Sequence, residues 1–366
     1  METLSILLFN WRDICNPDAG GAEVFTHEVA KRWATQGHEV SLFTSRFPGS
    51  GERERIDGVD VFRAGNRVTV YRQAIRFWRR SQSHAYDVVI DEINTRPFMT
   101  PTFVDSETKV FALIHQLARE YWFYEVPFPL SYIGYYFLET HWLKKYRKFP
   151  CITVSESTKL ELHELGFDNV SVVSEGISVR PLSEVPDKPA RPTFIYLGRL
   201  TRAKKPEDAV AAFGLAKKVL PSARLWVVGE GYMRKRLEKG APNDVEFMGG
   251  VTESEKFRLL RDSHILLVPG TREGWGLVVS EANAMGTPAI AYDVPGLRDS
   301  VLHEKTGIVL KENTPRAMAD WCVRLLQQPI LRSQLAERAL DWSRRFSWDL
   351  TAKQFMEILR PRSTHG

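Results

Sequence analysis

The chain is short of what several protein classes require. Its 366 residues include three cysteines, Cys15, Cys151 and Cys322, far apart and odd in number. That excludes a disulfide framework and a thiolate metal site, and it fits a reducing compartment. There is no apolar run of about eighteen residues or more, so no transmembrane helix is expected. The opening METLSILLFNW has no basic leader and no small-residue cleavage site, and reads as a buried strand rather than a signal peptide. A cytoplasmic protein is therefore expected. No Asp-x-Asp ends a strand, and neither His-Glu-x-x-His nor Cys-x-x-Cys occurs, so a metal site is not indicated. The chain lacks a Gly-x-x-x-x-Gly-Lys-Ser/Thr loop and lacks Gly-x-Gly-x-x-Gly after the first strand. An ATPase and a dinucleotide dehydrogenase are both disfavoured.

What is present describes a soluble globular protein, with 43% hydrophobic and 26% charged residues and a length suited to two domains. Fifty basic residues against 45 acidic ones leave a net charge of +5. That suits an anionic partner such as a nucleotide, nucleic acid or lipid headgroup, and equally a solvated basic surface.

Along the chain, short apolar runs alternate with helical patterns. LSILLFN reads as a strand, GGAEVFTHEVAKRWATQGH as an amphipathic helix, and EVSLFTS, YDVVIDE, KVFALIH and CITVSES as further strands. PLSEVPDKPARP, rich in proline and charge, reads as a linker over 181–192. The rhythm then restarts with TFIYLGRL, ARLWVVGEG, VEFMGGV, HILLVPG, TPAIAYD and TGIVL as strands. Two doubly wound α/β domains facing a cleft are expected, one over 1–180 and one over 193–342. FSWDLTAKQFMEILR, within 343–366, is expected to form a helix packed back on the first domain.

The stretch TREGWGLVVSEANAMGTPAI is chemically the most telling. Glu273 and Glu281 are separated by seven residues, with Gly274 and Gly276 between them. The loop follows an apolar strand and opens a helix, the place where open α/β sheets bind ligands. Glycines allow close backbone approach, and free amides at a helix start favour a diphosphate. Glu273 on the loop and Glu281 one turn into the helix can accept hydrogen bonds from sugar and ribose hydroxyls. Arg199 and Lys204 follow another strand and can offset charge on a leaving diphosphate. Gly20 and Gly21 end the loop after the first strand, and His115 ends KVFALIH. His84, His141, His163, His264 and His303 are read as structural, and Gly229 and Gly231 as turn residues.

EGWGLVVSEANAMGTPAIA resembles the signature of the retaining, nucleotide-sugar-dependent glycosyltransferases of GT-B fold, the family-four (group 1) type. GRLTRAKK resembles that family's diphosphate-binding pair, which maps to Arg199 and Lys204; Lys205 stands where the family usually has glycine. NPDAGGAEVFTHEVAKRWATQGHEVSLFT, PGLRDSVLHEKTGIVL and FSWDLTAKQFMEIL also fit the pattern. The resemblance implies a retaining hexosyltransferase that uses a UDP- or GDP-linked sugar without a metal or further cofactor. It implies donor binding by Gly20, Gly21, Arg199, Lys204, Glu273, Gly274, Trp275, Gly276, Leu277 and Glu281. His115 would meet the donor sugar near the reacting carbon, and Gly229 and Gly231 would lie near the base. The alternatives are a non-catalytic nucleotide-sugar-binding partner subunit and another GT-B enzyme such as a sugar-nucleotide epimerase.

The acceptor side is read from LAREYWFYEVPFPLSYIGYYFLETHWLKKYRKFP, which holds about a dozen aromatics and ends in a basic cluster, Lys144 to Lys148. RVTVYRQAIRFWRR, Arg67 to Arg80, repeats the theme. Aromatics beside lysine and arginine suit an anionic membrane surface, and so a saccharide or lipid-linked acceptor of cell-envelope synthesis. A buried aromatic helix or a dimer contact would also account for them. No nucleic-acid module is recognisable, and nucleic acid is not expected as a partner.

Overall fold

The computed structural model describes residues 3–81 and 86–360. His84 lies outside the described residues. The chain builds two compact units: Met1–Arg119, Tyr132–Gly176 and Trp348–Gly366 contribute to the first, Glu120–Ser131 and Ile177–Ser347 form the second.

The strands of the first unit are β1 (Ser5–Phe9), β2 (Glu39–Thr44), β3 (Arg53–Ile56), β4 (Val59–Arg63), β5 (Val88–Glu92), β6 (Lys109–Leu113), β7 (Cys151–Thr153) and β8 (Val170–Val172). The helices of this stretch are α1 (Gly21–Thr35), α2 (Val70–Arg80), α3 (Tyr121–Glu125), α4 (Leu130–Ile133), α5 (Glu139–Leu143) and α6 (Glu156–Glu164). The sheet order is β3-β4-β2-β1-β5-β6-β7-β8, parallel except for the β3–β4 hairpin. That hairpin turns at Asp57 and Gly58, both at positive φ, the Asp-Gly turn whose twist suits a two-residue loop. The sequence reading does not include β3, β4 or β8. RERI is largely exposed on an edge and carries no apolar run, and β8 has three residues. Buried parallel strands are near-continuous apolar runs, and β1, β2, β5 and β6 are legible for that reason.

The second unit has β9 (Thr193–Leu197), β10 (Arg224–Val228), β11 (Val245–Gly249), β12 (Ile265–Val268), β13 (Ala289–Tyr292) and β14 (Gly307–Leu310), in the order β11-β10-β9-β12-β13-β14. All are among the strands read from the sequence. Its helices are α7 (Pro206–Ala216), α8 (Arg234–Gly240), α9 (Glu253–Asp262), α10 (Leu277–Ala284), α11 (Leu297–Ser300), α12 (Pro315–Gln327) and α13 (Pro329–Ser343). The last helix, α14 (Trp348–Leu359), belongs to the first unit. It lies on α1, where the buried Trp33 indole donates to the Ala352 carbonyl at 3.0 Å and packs edge-on against Phe355.

Two stretches group differently from the sequence boundaries. Residues 120–131 sit with the second unit because Glu125 accepts from the Ala203 amide at 2.9 Å and Glu120 pairs with Arg272 at 3.2 Å. The 181–192 stretch is held along the second unit: Lys188 donates to Arg261 O and Thr287 Oγ1, and the Leu182 amide to Ala284 O. Among the described residues, no helix is long and apolar enough to cross a membrane.

Candidate functional site

In the second unit the strand order reverses between β9 and β12. The loops at the carboxyl ends of those two strands meet at that reversal, where doubly wound sheets form their ligand crevice. The loop after β9 carries Arg199, then a short turn Arg202–Lys204. The loop after β12 carries Glu273, then Gly276 and α10.

These two loops are tied together. Thr271 donates through its amide and its hydroxyl to Ala203 O, both at 2.9 Å. Lys204 Nζ meets Glu273 Oε1 at 2.5 Å, with both side chains partly exposed. The structure thus brings together two of the charged residues singled out in the sequence. Glu281, one turn into α10, receives Lys256 Nζ from α9 at 2.6 Å. Lys256 carries no sequence signal, because TESEKFRLLRDS reads as an ordinary amphipathic helix. The Arg199 guanidinium is exposed, while its carbonyl accepts from the Tyr196 hydroxyl at 3.0 Å.

Backbone shape follows from a few residues. Lys205, at the position where a glycine is usual, sits at φ +46°, the left-handed region, and Pro206 then starts α7. The lysine therefore takes the conformation that a glycine would take. Gly276 precedes α10 at φ +93°, and the first amides of a helix have no preceding turn to receive them. A Cβ on Gly296 would lie 2.3 Å from Glu273 O and 2.7 Å from Gly274 O, so the loop before α11 presses directly on the Glu273 loop. Gly296 is a site-shaping residue that the sequence reading passes over. Gly229 and Gly231 are explained by the same kind of approach: a Cβ there would lie 2.1 Å from Gly198 O and 2.3 Å from Leu200 O.

Trp275 has its side chain in the core. Its indole is 5% exposed, donates to Ser280 Oγ at 2.9 Å and packs against Phe346. At this position only the backbone can serve a ligand. Tyr232 and Glu125 are further neighbours of the Arg202–Lys204 turn. The Tyr232 hydroxyl accepts the Arg202 amide at 2.8 Å and donates to the Glu125 carboxylate.

In the first unit the strand order reverses between β1 and β5. Gly20 ends the loop after β1, and its amide is donated to Glu23 Oε2 at 2.6 Å. Gly21 begins α1. Buried Glu23 is in turn paired with Arg12 at 3.0 Å, so an internal carboxylate already occupies part of the anion-favouring helix start. His115 follows β6 and is buried, not open as its place at a strand end suggests. Its ring nitrogens lie 3.5 Å from Glu92 and 3.5 Å from Glu175, and its ring packs at right angles to that of Phe25. Burial alone would lower its pKa; Glu175 and Glu92 outweigh that and raise it to about 9. Burial also pushes the Glu92 carboxyl up. Thr26 on α1 donates to the other Glu92 oxygen. Glu92 and Glu175 are absent from the sequence reading, since a lone glutamate at a strand end is an ordinary surface residue.

Comparison with known proteins adds the following. Residues 182–342 match the family described as glycosyl transferases group 1, and residues 19–180 match Glycosyltransferase Family 4. A D-inositol 3-phosphate glycosyltransferase of Thermobispora bispora is 25% identical, over 93% of this chain and 90% of its own length. A phosphatidyl-myo-inositol mannosyltransferase of Mycobacterium leprae is 26% identical over 59% of this chain and 60% of its own. Among solved structures, a sucrose-phosphate synthase of Thermosynechococcus elongatus superposes with a TM-score of 0.79 at 20% identity, covering 97% of this chain and 98% of that one. Anabaena HepE, solved in complex with UDP-glucose, gives 0.72 at 15% identity, covering 97% and 99%.

Proposed function

The chain is a glycosyltransferase of GT-B fold, built from a Glycosyltransferase Family 4 domain and a glycosyl transferases group 1 domain, and from that premise we propose the reaction it carries out. It moves a hexosyl unit from a UDP- or GDP-linked sugar to a hydroxyl acceptor with retention of anomeric configuration. The single observation that carries the donor assignment is the joining of Lys204 and Glu273 at the β9/β12 crevice, with the start of α10 beside them.

In this reading the diphosphate lies on Arg199, Lys204 and the amides of Gly274 to Leu277. Lys204 exchanges its Glu273 partner for phosphate oxygen as the donor enters. Glu273 is released to accept a hydroxyl of the sugar, and Glu281 accepts the ribose hydroxyls. When the glycosidic bond breaks, the two electrons go to the β-phosphate oxygen, and fixed cations there lower the barrier. No enzymic nucleophile is invoked: the leaving phosphate takes the acceptor proton as the acceptor attacks from the same side. Charge on the leaving group is met by Arg199 and Lys204, so we propose that the reaction needs no metal.

The first unit is proposed to bind the acceptor at its own β1/β5 reversal. The acceptor is proposed to be a saccharide or lipid-linked saccharide of the cell envelope, met at the inner face of an anionic membrane. The relative named as a phosphatidyl-myo-inositol mannosyltransferase supports this, as do the aromatic and basic stretches 132–148 and 67–80. The test is transfer from labelled UDP- and GDP-hexoses to lipid and saccharide acceptors, with the product anomer read by NMR. Transfer with retention is expected. An inverted product, or hydrolysis of the donor with no transfer to any acceptor, contradicts the proposal.

A further inference from the structure

A cavity of about 800 Å³ lies within the second unit, apart from the donor loops. Those loops leave the carboxyl ends of β9 and β12, whereas His264 and Pro288, which line the cavity, precede β12 and β13. The cavity is therefore at the opposite edge of the same parallel sheet. One wall is the proline-rich stretch over 183–189, read from the sequence as a linker, and α13 supplies another. Both walls are held in place. Pro186 packs so closely on Gly286 that a Cβ there would lie 2.9 Å from Pro186 Cδ. Arg344, just after α13, donates to Ser183 O at 2.7 Å.

The less exposed part of the lining is basic. Lys188 and Arg332 are half-buried and His264 is buried. The Lys188 ammonium gives two of its hydrogens to Arg261 O at 2.7 Å and Thr287 Oγ1 at 2.8 Å, which leaves it a third donor. His264 Nδ1 accepts the Thr193 amide at 3.1 Å, so the neutral ring carries its hydrogen on Nε2. Arg332 has no ion-pair partner among the described residues; burial pulls its pKa down and no carboxylate offsets that. Burial, with Arg332 and Arg261 close by, lowers Lys188 to about 7 in spite of Asp262. Burial, with Arg332, Lys188 and Arg224, lowers His264 to about 4. The three groups thus lose hydration and repel one another, and a bound anion relieves both effects.

The more exposed lining is acidic, with Glu184, Asp187, Glu337 and Asp341. Asp341 pairs with Arg344 at 2.6 Å, and Glu337 accepts the Ser333 hydroxyl at 3.2 Å. Such a rim repels an extended polyanion or an acidic membrane, and it accepts hydrogen bonds from hydroxyl groups. The volume is that of a small-molecule site. We propose that this cavity binds a compact phosphate ester of a polyhydroxy molecule. The phosphate lies on Lys188, His264 Nε2 and Arg332 through charge-assisted hydrogen bonds. Hydroxyls of the same molecule donate to the Glu184 and Asp187 carboxylates. The site is distinct from the donor crevice and takes a second anionic ligand.

The test is thermal melting of the full chain in phosphate-free buffer at constant ionic strength. The probes are glycerol 3-phosphate, glucose 1-phosphate, glucose 6-phosphate, inorganic phosphate and glucose. At least one ester should raise the melting temperature at a lower concentration than inorganic phosphate does, and glucose should not raise it. Arg332→Gln should raise the apparent Kd of that ester at least tenfold, and Lys204→Ala should leave it unchanged. Glu184→Ala with Asp187→Ala changes only exposed side chains and so keeps the fold. That variant should weaken the ester at least threefold without weakening inorganic phosphate. Equal rises with the esters and inorganic phosphate would overturn the ester in favour of free phosphate. No rise with any probe overturns the site. So does a rise that Lys204→Ala abolishes and Arg332→Gln keeps, because the anion would then lie in the donor crevice.

Discussion

Lys204, Glu273 and Glu281 are held by partners that a ligand can replace. Lys204 with Glu273, and Glu281 with Lys256, are ion pairs whose members keep some exposure, so each carboxylate or ammonium can be handed to a ligand at little desolvation cost. Lys204→Ala and Glu281→Ala should therefore each lower kcat/KM by about a hundredfold or more, with the melting temperature close to wild type. Near wild-type turnover would remove these residues from the donor site. His115 is different, being buried between Glu92 and Glu175. Its pKa is raised above that of an unfolded histidine, so it stabilises the fold fully below about pH 6.5, and the contribution disappears as the pH rises through about 9. Wild type should then lose on the order of 3 kcal/mol relative to His115→Gln across that window. Denaturant unfolding of both proteins at several pH values checks this; parallel curves would mean that His115 is neutral throughout.

Among the elements, the loops after β9 and β12 show how backbone and side chain share the work. The Glu273 loop is braced from behind by Gly296, so Gly296→Ala must move it, since the new methyl would overlap Glu273 O. Donor affinity should fall at least about tenfold while the core is untouched, because small displacements of positioning groups are costly. Titration calorimetry with the donor reads this directly. Packing of α14 on α1 is the other element-level dependence. Trp33→Ala removes a fully buried indole and its hydrogen bond to the Ala352 carbonyl, and should cost about 3–5 kcal/mol. A loss under about 1 kcal/mol in urea unfolding would mean that α14 contributes little. The elements that the sequence made legible were those with strong periodicity: the six strands of the second unit, α1 and the helix at the end of the chain. The β3–β4 hairpin was not, because an exposed edge strand such as RERI has no apolar alternation. At the site, Glu273, Glu281 and the glycines of TREGWG were readable, since their residue types are unusual beside a buried strand. Neighbouring residues of the site were not. Lys256, Glu125 and Tyr232 are distant in sequence and ordinary in type, and only the fold brings them near. Trp275 stood in the readable stretch, yet its side chain serves the core.

For the whole molecule, the family assignment fixes the class of reaction, and the proposed donor chemistry rests on the loops at the β9/β12 reversal. The central claim is that the β9/β12 crevice of the second unit holds a nucleotide-diphosphate sugar. A ligand that binds only the folded state raises its stability by about 2.7 kcal/mol at a concentration a hundredfold above Kd. The most direct measurement is therefore thermal melting of wild type, Lys204→Ala and Glu281→Ala with UDP-, GDP- and ADP-hexoses. The account predicts that a UDP- or GDP-hexose raises the wild-type melting temperature and that both variants lose most of the rise. No shift with any donor, or an equal shift in wild type and both variants, would contradict it.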